Sequence, residues 1–170
     1  MNTNDKTEII QVINLYALVL DSQSWELMDQ VFTEDAIADF GPAGALWKSL
    51  DEFTYGFKVF HESLDNHMHS MFGSVVEVDG DTAHAFTYGD WLLVRDAAAE
   101  EGDGNSWTGR GWYDDELVRT EKGWRIKKRV CRLVNWSGNP AVSQPAPGQT
   151  PTLDQACSGQ SPRAAPYHGA

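Results

Sequence analysis

The sequence predicts a single α+β domain, a cone-shaped barrel in which N-terminal helices pack on a strongly curved, mainly antiparallel sheet. Two patterns predict it. Apolar residues recur at helical spacing as far as Leu64, and from Met68 onward apolar and polar residues alternate with the two-residue period of a strand. Helices followed by a run of long strands is the order found in α+β proteins. At 170 residues and 41% hydrophobic content, the chain is long enough for one buried core.

Three helices are predicted in the first part of the chain. The first carries an apolar stripe from Ile9 to Leu20, ends near Asp21 and Ser22, and has a capping-box pattern at Asp5 and Glu8. A short second helix follows Ser22 or Ser24 and buries four apolar residues: Trp25, Met28, Val31 and Phe32. A short strand is predicted over 36–40. Ser49 and Glu52 then form a second capping box, which begins the third helix, and the buried stripe of that helix is Phe53, Phe57, Phe60 and Leu64.

The remaining fold is predicted to be antiparallel strands. Asp79-Gly80 is a strong hairpin signal, and Lys122-Gly123 marks a second turn. The predicted strands flank these turns and a long acidic loop over 96–106: they are 70–78, 82–95, 107–120 and 124–136. A curved sheet closed by helices leaves an interior in which a ligand binds.

Composition divides the chain after Trp136. Residues 137–170 hold six of the seven prolines and only two charged side chains, Asp154 and Arg163. Such a segment cannot pack a core of its own. We therefore predict a cone domain over 1–136 and an extended Pro-rich tail over 137–170 that adds little to the core.

Charge and cysteine content exclude several classes of function. The net charge of −12 repels phosphate backbones and anionic lipids, so neither nucleic-acid nor membrane binding is expected. No apolar run approaches the ~18 residues of a membrane span, and the polar start from Met1 to Lys6 has no signal-peptide pattern. Two cysteines make neither a disulfide framework nor a zinc site, and a cytoplasmic protein is expected.

Two histidines and one aspartate are the main candidates for chemistry. His67 and His69 share a face of an extended chain, and Asp21 stands where the first helix ends. His-x-His also suggests a metal pair, but zinc needs three or four ligands and the spacing names no further one, so no metal or other cofactor is expected. A carboxylate beside an imidazole fixes its tautomer and stabilises its protonated form, which makes a general base.

Aromatic content predicts a pocket with flat walls. The chain has seven Trp, five Tyr and seven Phe, which suits a hydrophobic or aromatic small molecule. Tyr113 stands on the same strand face as Asp115 and Arg119 and offers a phenol donor. The residues predicted to line the substrate site are Phe40, Tyr55, Tyr88, Asp90, Trp91 and Trp112.

Taken together, residues 8–138 resemble the SnoaL-like group of the nuclear-transport-factor-two-like superfamily. The order and spacing of five segments carry the resemblance. They are Tyr16…Asp21 with Trp25, Phe32-x-x-Asp35, His69 six residues before 75–83, Gly111-x-Tyr113-x-Asp115 with Arg119, and Gly123-Trp124-Arg125-Ile126 followed by Arg129 and Trp136.

The resemblance implies the α+β cone and a candidate mechanism. Two enzyme types of this superfamily, scytalone dehydratase and hexachlorocyclohexane dehydrochlorinase, share an Asp–His base, and Asp21 and His69 fall on that dyad. Arg119 falls near an arginine that the dehydrochlorinase uses, while Tyr16 replaces its catalytic lysine. Related proteins associate through the open sheet face, which implies a homo-oligomer here, a dimer or a trimer.

The function expected from these residues is a cofactor-independent lyase or isomerase, with dehydration first. His69 removes a carbon-bound proton, Asp21 orients it, and a tyrosine donates to the developing oxyanion: the candidates are Tyr16, Tyr55, Tyr88 and Tyr113. One alternative is a non-catalytic binding module or partner subunit. Another is a polyketide cyclase that uses an acidic base, either Asp115 or Asp90.

Overall fold

The computed structural model describes residues 3–41, 46–100 and 104–143. Its three α-helices are α1 (Thr3–Ser22), α2 (Leu50–His61) and the one-turn α3 (Pro140–Ser143), and two short 3-10 helices lie at Trp25–Gln30 and Asp96–Glu100. The strands are β1 (Phe32–Asp39), β2 (Leu46–Trp47), β3 (Asn66–Asp79), β4 (Thr82–Val94), β5 (Ser106–Thr120) and β6 (Gly123–Gly138).

All six strands form one mixed sheet in the order β2-β1-β6-β5-β4-β3. Only the β1–β6 pair is parallel among the described pairings, and the other neighbours are antiparallel. The predicted turn at Asp79-Gly80 joins β3 to β4, where Gly80 has the positive φ of 58° that such a turn needs. The predicted α+β class is confirmed.

The two faces of the sheet have different roles. On β4, alternate side chains from Ala83 to Leu93 are buried and face the helices. Helix α1 packs on this inner face with a stripe of fully buried residues: Ile9, Ile13, Tyr16, Val19 and Leu20. The outer face carries exposed aromatic side chains such as Phe72 and Tyr88, whose rings stack with centroids 6.1 Å apart. A homo-oligomer stays a prediction.

Glycines on β4 and β5 let large rings lie against the backbone of the inner face. A Cβ at Gly111 would stand 2.0 Å from the carbonyl oxygen of Arg132 and 2.7 Å from the Trp91 ring. A Cβ at Gly89 would stand 2.9 Å from the Tyr113 ring. Side chains at these two positions would therefore displace the indole and the phenol, so the glycines fix where both rings sit.

Some element boundaries differ from those predicted. Strand β3 begins at Asn66 rather than at residue 70, because His67 and His69 already pair with Leu93 and Trp91 of β4. Phe32 belongs to β1 rather than to the second helix, where it pairs with Ile126 of β6. Both histidines are therefore held inside a paired strand.

The fold continues past residue 136. Val142 is fully buried in the core, and Asn139 is buried with its side-chain amide donating to the carbonyls of Ala98 at 2.8 Å and Gly104 at 2.7 Å. A polar amide that satisfies two loop carbonyls anchors the chain at this point. The rest of the predicted tail, residues 144–170, lies outside the described residues.

No helix within the described ranges is long and apolar enough to cross a membrane.

Replacement of Asn139 tests whether this segment belongs to the fold. Asn139→Ala leaves the carbonyls of Ala98 and Gly104 without their donor, so we expect the free energy of unfolding to fall by about 2 kcal/mol in urea denaturation. Asn135→Ala, at an exposed position of β6, is the control and should change it by less than about 0.5 kcal/mol. Equal stabilities of the two variants would show that the anchor is dispensable.

Candidate active site

The centre of the site is the carboxylate of Asp21, which accepts hydrogen bonds from two histidines. The Nδ1 of His69 lies 2.7 Å from its Oδ1, and the Nδ1 of His67 lies 3.4 Å from the same atom. The backbone N–H of His69 donates to Oδ2 at 2.9 Å and to Oδ1 at 3.1 Å. The contact between Asp21 and His69 that the sequence suggests is therefore present.

The end of α1 places Asp21 over strand β3. The N–H of Ser24 bonds to the carbonyl of Val19, and that of Gln23 bonds to the carbonyl of Leu20, which is the Schellman pattern of a helix C-terminus. Gln23 occupies its left-handed position with a φ of 55°, where glycine is usual. A glutamine is used here although the backbone conformation is costly, and its side chain reaches the site.

Gln23 and His61 are two members of the site that sequence reasoning missed. The side-chain Nε2 of Gln23 lies 3.4 Å from the Nε2 of His67 and 3.5 Å from the carbonyl oxygen of His61. His61 is buried, and its ring centroid lies 5.0 Å from that of His67 and 5.4 Å from that of His69. The positive φ of Gln23 is not visible in a local sequence pattern, whereas His61 stands four residues after Phe57 on the buried face of α2, and this spacing is the signal that could have found it.

The hydrogen-bond partners determine which ring nitrogens carry protons. His61 Nδ1 lies 2.7 Å from the carbonyl oxygen of Phe57, which can only accept, so His61 is protonated at Nδ1. The same logic applies to His69, whose Nδ1 faces the carboxylate of Asp21. In both rings Nε2 is left as the lone-pair nitrogen, and no described residue donates to the Nε2 of His69.

Burial and hydrogen bonding set the charges of the site. Burial lowers the pKa of His69 below its usual value although Asp21 opposes the shift, and burial lowers the pKa of His61 well below it. Burial alone would raise the pKa of Asp21, but hydrogen bonds from His67 and His69 outweigh it and hold that pKa far below its usual range. At neutral pH the dyad is an ionised carboxylate beside a neutral imidazole, which is the resting form of a general base.

Aromatic rings surround the interior next to the dyad. The ring centroid of His61 lies 5.2 Å from that of Phe57, and the centroid of Phe57 lies 4.4 Å from that of Phe53. The ring of Phe53 in turn stacks on that of Tyr16 with a centroid distance of 6.5 Å. Tyr16 lies 5.9 Å from Tyr113, which lies 5.7 Å from Trp91, and Trp91 pairs with His69 across β3 and β4. The rings thus form a continuous row of contacts from His61 to Trp91, whose backbone is paired with that of His69.

Four of the predicted site residues belong to this interior. They are Tyr16, Phe40, Trp91 and Tyr113, and all are buried. Phe40 packs on Phe57 with a centroid distance of 5.0 Å. Trp91 shares the face of His69, and its indole N–H donates to the Tyr113 hydroxyl at 2.6 Å. These side chains can provide the flat walls expected from the composition.

Three residues that were predicted to line the same pocket, Tyr88, Asp90 and Trp112, lie instead on the opposite face of the sheet. Tyr88 and Trp112 pair with each other and point outward, and Asp90 lies 3.6 Å from Arg110 in an exposed ion pair. The cause is a bulge in β3 between Phe72 and Val75. It shifts the pairing by one residue, and such a shift exchanges the two faces.

Tyr55, also predicted to line the substrate site, lies on the surface of α2. Its side chain stands on α2 with 72% of its surface exposed, beside a surface cleft of about 430 Å³ that Trp25, Met28 and Leu50 also line. The cleft is separate from the interior that holds His69. Tyr55 therefore has no contact with the dyad.

Arg119 does not reach the dyad either. Its guanidinium donates to Asp5 at 2.8 Å and to Asp81 at 3.0 Å, and it stacks over the ring of Trp124 at 4.5 Å. It ties the first turn of α1 to the end of the sheet near the β5–β6 turn. Asp5 is accordingly a partner of Arg119 rather than the member of a capping box.

The buried arginine of the interior is Arg129, which pairs with Asp115. Its Nε and Nη2 donate to the two carboxylate oxygens of Asp115, both at 2.7 Å, and both side chains are fully buried. With both oxygens engaged, Asp115 is not placed as a free base, and Asp90 lies on the outer face. The alternative of an acidic base therefore lacks a free interior carboxylate at either position.

The histidines and Asp21 also have the composition of a metal site. One ligand atom each from Asp21, His67 and His69 lies within 4.8 Å of the others. The sequence shows the His-x-His pair but no third ligand at a recognisable spacing, and the fold supplies Asp21 from 46 residues before His67. Two imidazoles and a carboxylate are suitable ligands for zinc or iron.

Comparison with known proteins places the chain among SnoaL-like proteins. The sequence profile of the SnoaL-like domain matches residues 1–130. An uncharacterized protein of Mycobacterium tuberculosis strain H37Rv is 30% identical over 128 residues, which are 75% of this chain and 84% of that protein. The match to this family covers α1, α2 and most of the sheet.

Solved structures share the fold. A Kribbella flavida protein aligns with a TM-score of 0.75 and 24% identity over 82% of this chain and 97% of that one. A Novosphingobium aromaticivorans protein, proposed to be an aromatic ring hydroxylase, aligns with a TM-score of 0.70 and 25% identity over 92% and 99%. A proposed scytalone dehydratase of the same bacterium aligns with a TM-score of 0.70 and 14% identity over 92% and 94%.

The neutral buried histidines predict a dependence of stability on pH. Their folded-state pKa values lie below the usual 6.5, so the unfolded chain binds more protons at mildly acidic pH. The stability that they contribute is present above pH 6.5 and is lost as the pH falls through the window between 6.5 and the lower folded values. Urea denaturation at pH 7.5 and at several values below 6.5 measures this loss.

The variant His61→Phe keeps a ring on Phe57 but removes one titrating group. We expect its stability to fall less steeply with decreasing pH than that of the wild type, by up to about 1.4 kcal/mol for each unit of pKa shift. The same slope in both proteins would mean that His61 is not buried in its neutral form.

Proposed function

We infer that this chain, which belongs to the SnoaL-like domain family, is a cofactor-independent lyase or isomerase, with dehydration of a ring-shaped small molecule as the expected reaction. One observation carries the proposal. Asp21 holds Nδ1 of His69 at 2.7 Å, and no described residue donates to the Nε2 of that ring. A neutral, buried imidazole with one oriented lone pair is a base suited to removing a proton from carbon.

The proposed reaction begins with transfer of a proton from a carbon next to a carbonyl to Nε2 of His69. The C–H electrons form a double bond as the bond from the neighbouring carbon to its hydroxyl breaks. The imidazolium, stabilised by Asp21, then gives its proton to the departing hydroxyl, which leaves as water. His69 ends neutral, so the cycle closes without a cofactor.

The walls of the interior support a flat substrate. Tyr16 and Tyr113 add phenol groups to the row of aromatic rings, and Trp91 adds an indole ring on the same side of the sheet as His69. Phenol donors stabilise negative charge that develops on a substrate oxygen. A non-catalytic binding module would need the flat walls but has no use for a carboxylate oriented on an imidazole.

A metal-dependent reaction at the same residues is the second candidate, because Asp21, His67 and His69 have the spacing of a metal triad. The distances favour the hydrogen-bonded dyad. Two ligands at about 2.0 Å from zinc in a tetrahedral site are about 3.3 Å apart. The 2.7 Å between Oδ1 of Asp21 and Nδ1 of His69 is shorter than that and is typical of a charge-assisted hydrogen bond.

Removal of either member of the dyad should abolish proton transfer. The base-catalysed ring opening of 5-nitrobenzisoxazole, followed by absorbance, reports on a positioned base without knowledge of the natural substrate. We expect His69→Ala to slow it by ~10²–10⁴, because this is the usual effect of a positioned general base. Asp21→Asn should cost a similar factor, since the amide leaves the imidazolium without its counter-charge.

The double variant separates a dyad from two independent groups. It should be little slower than His69→Ala, because each residue acts only through the other. His84→Ala is the control and should keep the wild-type rate. It removes a histidine of β4 whose ring contacts Asp114 rather than Asp21. Additive losses in well-folded variants, or full activity of His69→Ala, would contradict the proposed mechanism.

Chelation distinguishes the dyad from the metal site. The dyad needs no ion, so we expect the wild-type rate to persist after dialysis against EDTA and to be unchanged when zinc or ferrous iron is added. His67→Asn, which removes one ligand of the candidate triad but not the 2.7 Å contact of His69, should keep most of the activity. Loss of the rate in EDTA with recovery on adding metal would assign the triad to a metal.

A further inference from the structure

Gln23 reaches the histidines from the surface of the protein. The residue is exposed, but its side-chain Nε2 lies 3.4 Å from Nε2 of the buried His67 and 3.5 Å from the carbonyl oxygen of His61. A backbone carbonyl only accepts hydrogen bonds, so the end of the amide that faces it is the NH₂ group. That group has two hydrogens, and the second is available to Nε2 of His67. Gln23 therefore presents a donor to this ring nitrogen.

The other ring nitrogen of His67 faces an acceptor. Its Nδ1 lies 3.4 Å from Oδ1 of the Asp21 carboxylate. A neutral imidazole donates from the nitrogen that carries its proton and accepts at the other. A donor at Nε2 and an acceptor at Nδ1 both select the tautomer with its proton on Nδ1. In the opposite tautomer an N–H would face the amide hydrogens of Gln23, and a lone pair would face the carboxylate.

We propose that Gln23 is a positioning residue of the dyad, and that it acts by fixing the tautomer in which Nδ1 of His67 donates to Asp21. Oδ1 of Asp21 also accepts the 2.7 Å hydrogen bond from His69, so two imidazoles hold one oxygen from two sides. A carboxylate held in this way resists rotation away from His69. The effect on the reaction rests on the proposed function, whereas the tautomer of His67 is measured without any substrate.

The backbone at Gln23 makes a glycine variant a clean test of its side chain. The φ of 55° lies in the left-handed region, which glycine adopts without the cost that a Cβ brings. Gln23→Gly therefore removes the amide but keeps the end of α1, and because the residue is exposed it leaves no cavity in the core. The variant should melt at or above the wild-type temperature, which separates a loss at the site from a loss of folding.

Long-range proton–nitrogen NMR spectra of the full-length protein at neutral pH show which nitrogen of His67 carries hydrogen, and spectra of His67→Asn identify its signals. We expect a protonated Nδ1 and an unprotonated Nε2 in the wild type. Gln23→Glu has nearly the same shape but offers only acceptors, so Nε2 should gain a proton. Gln23→Gly should lower the fraction of rings protonated at Nδ1 alone, because water in place of the amide both donates and accepts.

The rate of 5-nitrobenzisoxazole ring opening measures the effect on the base. Gln23→Gly and Gln23→Glu should each slow it by about twofold to tenfold, the scale of one lost hydrogen bond. In a His67→Asn background the introduced amide donates to Asp21 whichever residue stands at position 23, so Gln23→Glu should cause no further loss there. Gln30→Glu adds the same charge at the exposed end of the 3-10 helix and should change neither the His67 signals nor the rate.

A wild-type His67 with hydrogen on Nε2, or the wild-type tautomer retained in both Gln23 variants, would overturn the proposal. So would a changed tautomer with an unchanged rate, or an equal loss from Gln23→Glu in the His67→Asn background. A wild type that does not open the ring would contradict the proposed function, and the positioning role is then measured at the Nδ1 proton of His69. Its resonance should move upfield in both Gln23 variants as the hydrogen bond to Asp21 weakens, and an unmoved resonance would overturn the role.

Discussion

The site depends on satisfying one half-buried carboxylate. Asp21 has been taken out of water at the end of α1, and such a group is tolerated only when donors surround it. Two donors come from His69 itself, the ring Nδ1 and the backbone N–H, and a third comes from His67. Because strand β3 supplies all of them, α1 and β3 are fixed against each other by the same contacts that orient the imidazole.

Fixing Nδ1 of His69 determines what the other nitrogen can do. The proton on Nδ1 belongs to the hydrogen bond with Asp21, so Nε2 keeps its lone pair, and burial keeps the ring neutral. Gln23 and His61 complete the surroundings, the first from a left-handed helix end and the second from α2. The left-handed conformation of Gln23 places its side chain 3.4 Å from the Nε2 of His67.

Much of the fold and part of the site could be predicted from the sequence. The turn at Asp79-Gly80 and the change of period near Met68 predict the helices and the sheet. The helix end at Asp21 and the His-x-His pair supply candidate residues, and the choice of Asp21 with His69 as the dyad rests on the resemblance to SnoaL-like enzymes. The face assignment of Tyr88 and Asp90 could not be predicted from the hairpin turn alone. If the strand register set by this turn continued without interruption, His69 would pair with Leu92. The bulge after Phe72 shifts the register, so that His69 pairs with Trp91. Gly73, with a φ of 63°, is the local signal of that bulge.

Long-range contacts account for the other differences. Arg119 and Arg129 stand on the neighbouring strands β5 and β6, but only Arg129 is buried. Its partner is Asp115 on β5, whereas Arg119 pairs with Asp5 of α1. Likewise, nothing in the 137–143 segment predicts that Asn139 would hold the loop at Gly104. Such pairings arise from three-dimensional proximity that sequence spacing does not encode.

The central claim, that Asp21 holds His69 as a neutral base with its lone pair on Nε2, is tested most directly by ¹⁵N NMR of the histidine rings at neutral pH. Long-range proton–nitrogen spectra of the wild type and His69→Ala identify the signals of this ring and show which nitrogen carries hydrogen. The account predicts that Nδ1 is protonated and Nε2 is not, and that Asp21→Asn disturbs this pattern. A His69 ring protonated at Nε2, or at both nitrogens, would contradict it.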